Sequence, residues 1–248
     1  MVPYLEAEKR FIKIFQSLCY KQSSFQVFND FLDFALLMLR LDKKAEDFKE
    51  LESRWTDKAD YEKFAEMLCC FADAADYDGN GFYDMFGDIF MEFFSNERKG
   101  QFFTPQSLCD MMALLTYGEE LQEANSVCDP CCGSGRTLLA MGKLNRKLKF
   151  YAADIDLTCC KMTVLNMLIN SMSGEVAWMD TLSMEHCQSW HIFNTLDLSG
   201  HFIPQYYVTG KGETNMVQQL KNSMAKQPKS EIYFDTSPQE TMQQIMLF

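Results

Sequence analysis

The chain has 248 residues, of which 47% are hydrophobic and 23% charged, enough length to bury a real core in one large domain or two modest ones. No apolar run approaches the roughly 18 residues of a membrane helix, and the charged start MVPYLEAEKRF lacks the apolar core of a signal peptide, so a cytoplasmic protein is expected. A net charge of −12 and a pI near 4.7 argue against strong unaided binding to nucleic acid, which needs clustered Lys and Arg.

Residues 4–95 read as helices. Phe11, Ile14, Phe15 and Leu18 recur at helical spacing. Ser23 and Gln26 match a capping box ahead of a buried helix over 25–39. Tyr61, Phe64, Ala65, Leu68 and Ala72 form a further apolar stripe. The acidic excess is concentrated between residues 41 and 98, which leaves room for a neutral or basic cleft elsewhere. DYDGNG at 76–81 matches half of a calcium loop, but the twelfth position, which needs Glu, is Gly87. A turn between helices is the plain reading.

From about residue 100 the pattern changes. Strand-like runs at 126–129, 149–154 and 175–180 alternate with helix-like segments at 106–116, 136–143 and 157–171, which predicts a parallel sheet flanked by helices. Residues 210–248 read as a polar, loosely held tail, with IMLF at its end able to dock. The ten cysteines are spread through a chain with no secretion signal and are expected to be reduced. Cys128 and Cys131 make one C-x-x-C, but no second pair stands at zinc-ribbon spacing.

DPCCGSG at 129–135 sits between a strand and a helix. Such a turn lets backbone N–H groups and a helix N-terminus face a ligand. A dinucleotide fingerprint would need a third glycine after Gly133 and Gly135, and here Asp129 ends the strand instead.

DPCCGSG resembles the S-adenosylmethionine loop of adenine-N6 DNA methyltransferases, above all the modification subunits of type I restriction systems. GQFFTP at 100–105, YAADID at 151–156 and WMDTLS at 178–183 resemble three further motifs of that family, in the family's order. The resemblance implies a doubly wound, Rossmann-like α/β domain over 99–209 behind a helical region over 1–98, and S-adenosylmethionine as cofactor. It places Phe103, Thr104 and Pro105 at the methionine end. Asp129, Pro130, Gly133, Ser134 and Gly135 form the loop, where the glycines allow close backbone approach. Asp154, or alternatively Asp156, receives the ribose hydroxyls, and Asp180 faces the adenine end. Met179 stands where the family usually has Gly.

The family's fourth motif, Asn/Asp-Pro-Pro-aromatic, orients the adenine amino group and stacks on a flipped base. No two prolines are adjacent in this chain. HIFNTLD at 191–197 lies at about the right distance from Asp180, which makes Asn194 the counterpart of the motif's Asn, with Thr195 and Leu196 in place of the prolines. The implied partner is DNA, reached through a separate specificity subunit. Two other readings stay open: a catalytically silent cofactor-binding or regulatory module, and a methyltransferase for a substrate other than nucleic acid.

Overall fold

A computed structural model describes residues 2–40, 43–94, 101–117, 126–196, 199–200, 202–216 and 244–246. Five helices come first: α1 (Tyr4–Leu18), α2 (Ser24–Leu39), α3 (Lys49–Arg54), α4 (Lys58–Asp76) and α5 (Met85–Phe93). α1 buries Phe11, Phe15 and Leu18, as its periodicity predicts. Half of the predicted capping box forms: the Ser23 hydroxyl accepts from Gln26 N, while the Gln26 side chain turns to Asp30. In α4 the buried face is Phe64, Met67, Phe71 and Ala74; Ala65 is exposed and Tyr61, Leu68 and Ala72 are half-buried. Two apolar rows lie one residue apart on that helix, and packing selects the row with the larger rings. Phenylalanines dominate the core between these helices, with Phe71 and Phe86 stacked at 4.2 Å.

DYDGNG forms the tight turn after α4. Asp76 accepts from Gly79 N, and Asp78 accepts from Tyr4 N at the start of α1. Here the acidic residues serve as turn and cap groups.

Next come α6 (Gln106–Thr116), β1 (Ser126–Asp129), α7 (Arg136–Leu144), β2 (Lys149–Asp154), α8 (Leu157–Ile169) and β3 (Ser173–Asp180). These are the predicted elements, with β3 starting two residues earlier, α7 ending one residue later and α8 two residues earlier than expected. The predicted alternation of strand and helix ends there. The Asp180 carboxylate accepts from Leu182 N and Ser183 N, which reverses the chain at once into β4 (Glu185–Leu196). β5 (Phe202–Thr209) follows after a turn through Gly200. Both are antiparallel to their predecessor, so the sheet is mixed rather than wholly parallel.

A short last strand, β6 (Gln244–Met246), pairs parallel with β1. The sheet order is β5-β4-β3-β2-β1-β6. Val127, Phe150, Ala152, Val176, Trp190 and Ile192 face one continuous core that also holds the buried residues of α1–α5, α7 and α8. Cys128, Ala153, Ala177 and Met179 face the other side, where Met216 packs.

The expected loose tail is held at both of its described parts. β6 joins the sheet through residues of the IMLF end, and residues 210–216 are strapped down by Glu175. That buried carboxylate on β3 accepts from the Thr214 hydroxyl, Asn215 N and the Ser189 hydroxyl, while Gly212 N donates to His186. Residues 217–243, 247 and 248 of the predicted tail lie outside the described residues. Among the described residues no helix is long and apolar enough to cross a membrane.

Close packing between β2 and β3 makes a direct test. A Cβ added at Gly174 would lie 1.7 Å from the Phe150 carbonyl oxygen, whereas Gly210 has open space around it. Gly174→Ala is expected to lower the urea midpoint by the equivalent of about 3 kcal/mol, as overpacking against backbone does. Gly210→Ala should leave the midpoint in place. Equal midpoints for the two variants would contradict this register.

Candidate cofactor site

β1, β2 and β3 end side by side, and their terminal acids Asp129, Asp154 and Asp180 lie at the same edge of the sheet. The chain runs from β1 outward through β2 to β3, while β6 lies on β1's other side. The winding therefore reverses at β1. In open α/β sheets, ligands bind outside the carboxyl ends of strands at such a switch point.

DPCCGSG occupies that point. Gly133 and Gly135 have φ of 55° and 84°, where side chains are disfavoured. Each also lacks space: a Cβ on Gly133 would lie 2.9 Å from the Phe103 ring, and one on Gly135 3.0 Å from Thr163. The loop is tied to β2, with Cys132 N donating to the Ala153 carbonyl, and turns on itself, with Gly135 N donating to the Cys132 carbonyl. Gly135 then leads into α7 without a side-chain cap, which leaves the first N–H groups of that helix at the loop.

The Asp154 carboxylate holds the loop from β2. One oxygen accepts from Gly133 N at 2.9 Å and the other from Asp156 N at 2.8 Å. Burial raises its pKa, and these N–H donors pull it back. Asp156 has a different task. It caps α8 by accepting from Thr158 N, and its other oxygen accepts from Gln101 Nε2 at 2.9 Å. Of the two acids considered for the ribose, Asp154 is the one bound to the glycine loop. Gln101 Oε1 is buried with no hydrogen-bond partner among the described residues.

Asp129 is folded back onto its own loop, accepting from Cys131 N and from the Thr137 hydroxyl. Burial pushes its pKa up to about 6, against the pull of those two donors. Pro130 follows it into the turn. Ser134 is buried, and its hydroxyl donates to Asp84 on the helical side.

The strip 101–105 passes along the loop; Gly100 lies outside the described residues. Phe103 sits between Gly133 and Phe90 of α5, its ring 5.0 Å from that of Phe90. The Thr104 carbonyl accepts from Arg136, and Pro105 is the N-cap of α6. Phe102 stays 73% exposed. Asp180 is solvated, and the N–H groups of its turn hold its pKa down.

Asn194 does not join this site. It lies near the end of β4, which runs antiparallel to β3, and its Nδ2 donates to the Ser171 carbonyl and Ser173 Oγ at the start of β3. That is the opposite end of the sheet. The expectation rested on distance from Asp180 along the chain, and the turn at Asp180 sends the following strand back across the sheet.

Four neighbours of the loop were not found from sequence: Asp84, Arg136, Asn166 and Ile155. The first three form a buried polar cluster beneath the loop. Ile155 follows Asp154 directly after β2 and is 69% exposed. An apolar residue left exposed directly after a strand-end acid was a usable signal for Ile155; nothing in the spacing marked Asp84.

The raised pKa of Asp129 has a consequence for stability. The carboxyl binds its proton more readily in the folded chain, at about 6, than at its ordinary 3.8. Its stabilising contribution is thus full below 3.8 and is lost as pH rises through 6. Asp129→Asn removes the titration. The stability difference between variant and parent should shift in the variant's favour from pH of about 4 to about 7 in urea melts. A difference independent of pH would contradict the burial of this group.

The N-6 DNA methylase family matches residues 81–231, more than half of the chain. Over 175 residues the chain is 25% identical to the type I restriction enzyme MpnII methylase subunit of Mycoplasma pneumoniae, covering 61% of this chain and 32% of that protein. Over 74 residues it is 35% identical to the uncharacterized protein MG259 of Mycoplasma genitalium, covering 29% of this chain and 16% of that protein. The chain spans about a third or less of the length of these relatives. The family match takes in the glycine loop, the acids ending the first three strands and the strip along the loop, and on it the chain belongs to the N-6 DNA methylase family.

Proposed function

We propose that the chain binds S-adenosylmethionine in the crevice at the carboxyl ends of β1 and β2, as the cofactor-binding part of an adenine-N6 DNA methyltransferase. One observation carries the reading: Gly133, Gly135 and Asp154 meet at the switch point of the sheet, in a loop with positive φ and no room for side chains. The residues present fit the cofactor. Asp154 keeps acceptor capacity for ribose hydroxyls beyond its two backbone donors. Ile155 offers an exposed apolar face beside it for a base. The uncapped start of α7 suits a carboxylate. Phe103, Thr104 and Pro105 form the wall at the methionine end, and Asp180 stands toward the adenine end. The bound cofactor supplies an activated methyl group. The chain's own part is to hold it in one orientation and to shield it on the helical side.

DNA is the substrate on this reading, reached through a partner. The relative from Mycoplasma pneumoniae is named a subunit of a type I restriction enzyme, and a net charge of −12 gives this chain little attraction for phosphates. A second reading has an observation of its own. With Asn194 at the far end of the sheet and no adjacent prolines, no described residue takes the part of the base-orienting motif. A cofactor-binding module without base chemistry accounts for that. Labelled cofactor incubated with unmethylated DNA, with and without extract from the source cells, separates the two: label in adenine removes the second reading, and none in either mixture removes the first.

Cofactor binding itself is tested by calorimetric titration with S-adenosylhomocysteine. Binding in the micromolar range is expected, with Asp154→Ala weakening it by about 100-fold or more and Ile155→Ser by about tenfold. Ile155 is exposed, so its variant should keep the parent's melting temperature. No binding by the intact protein would overturn the proposal.

A further inference from the structure

The first turn of α5 belongs to none of the methylase-like motifs, yet its carboxylates reach the glycine loop. Asp84 is the N-cap of α5, accepting from Gly87 N at 3.0 Å, and it is 1% exposed. The same carboxylate accepts from the Ser134 hydroxyl, from Arg136 Nε at 2.8 Å and from Asn166 Nδ2 at 2.8 Å. Arg136 is buried as well. It donates further to Asp88 Oδ1 at 2.7 Å and to the Thr104 carbonyl at 3.3 Å. Asn166 donates also to the Ser134 carbonyl at 2.9 Å. Space is tight: a Cβ on Gly87 would lie 2.0 Å from Asp84 Oδ2 and 2.6 Å from Arg136 Nη2.

A buried ion pair alone is weak evidence for anything beyond folding. The partners of this one are specific. Ser134 stands between the two loop glycines, Arg136 is the first residue of α7, and Thr104 lies in the strip along the loop. One carboxylate from the helical region therefore fixes, directly or through one guanidinium, both protein walls of the crevice. Arg is suited to this because its planar fork holds several acceptors at set angles, which Lys cannot do.

We infer that Asp84 and Arg136 are the positioning pair of the cofactor site, so that affinity for S-adenosylmethionine depends on the seating of α5 against the loop. The inference rests on the proposed cofactor reading. The described contacts of the pair include the loop's Ser134 and the strip's Thr104. The pair holds the loop in its binding shape before the ligand arrives, which removes an ordering cost from binding.

The test is titration of the full chain with S-adenosylhomocysteine, alongside melting temperatures. Asp84→Asn keeps a good helix cap but removes the charge facing Arg136. It should weaken binding by about tenfold or more. Asp30→Asn is the structural control, because Asp30 is an equally buried partner of Arg54 and Trp55 inside the helical region. It should lower the melting temperature and leave the dissociation constant within about twofold. Should Asp84→Asn fail to fold, Asp88→Asn and Arg136→Lys decide, since the Asp88 side chain is 47% exposed and tolerates change; each should weaken binding by about threefold or more. Parental affinity in Asp84→Asn, or in both of the fallback variants, overturns the inference and leaves the cofactor reading standing. No binding by the intact protein overturns both.

Discussion

Everything near the crevice depends on one constraint: the loop after β1 has no room for side chains at Gly133 and Gly135. Phe103 presses on the first glycine and Thr163 on the second. With both faces occupied, only glycine fits at these two positions, and the N–H of Gly133 points to the Asp154 carboxylate. Asp84 reads the hydroxyl of Ser134 from the other side. A side chain at either glycine would push the strip 101–105 or α8 away from the loop, and the walls of the crevice would part.

The helical region is part of this arrangement rather than an attachment to it. Its apolar residues and those on one face of the sheet form a single core. Polar contacts cross the same boundary: Thr158 to Asn29, Lys161 to Asp33, and Tyr206 to the Leu36 carbonyl. Among the described residues, packing is continuous between the helices of 4–93 and the sheet.

Local features of the chain were legible. The apolar runs at 126–129 and 149–154 are β1 and β2 to the residue, because short buried strands between turn residues leave little ambiguity. The glycine loop was legible because positive φ and close approach demand glycine itself. Other features depend on contacts far apart in sequence. Asp84 and Arg136 are 52 positions apart, and a lone Asp before a helix reads as a cap, which Asp84 also is. β4 was hidden because Ser189, Trp190, His191 and Ile192 are all buried, so no alternation shows. Asn194 was placed by counting from Asp180, and counting fails when the chain doubles back. In α4 the periodicity was right and the phase was off by one residue, a choice only the neighbouring helices make.

The ligand proposed for the crevice at the carboxyl ends of β1 and β2 is S-adenosylmethionine. Hydrogen exchange of the intact protein with and without S-adenosylhomocysteine tests that proposal residue by residue. Slowed exchange is expected at 131–137, 154–156 and 101–105, with no change at 191–196 on the opposite end of the sheet. Unchanged exchange at the glycine loop under saturating ligand, or protection confined to other segments, would contradict it.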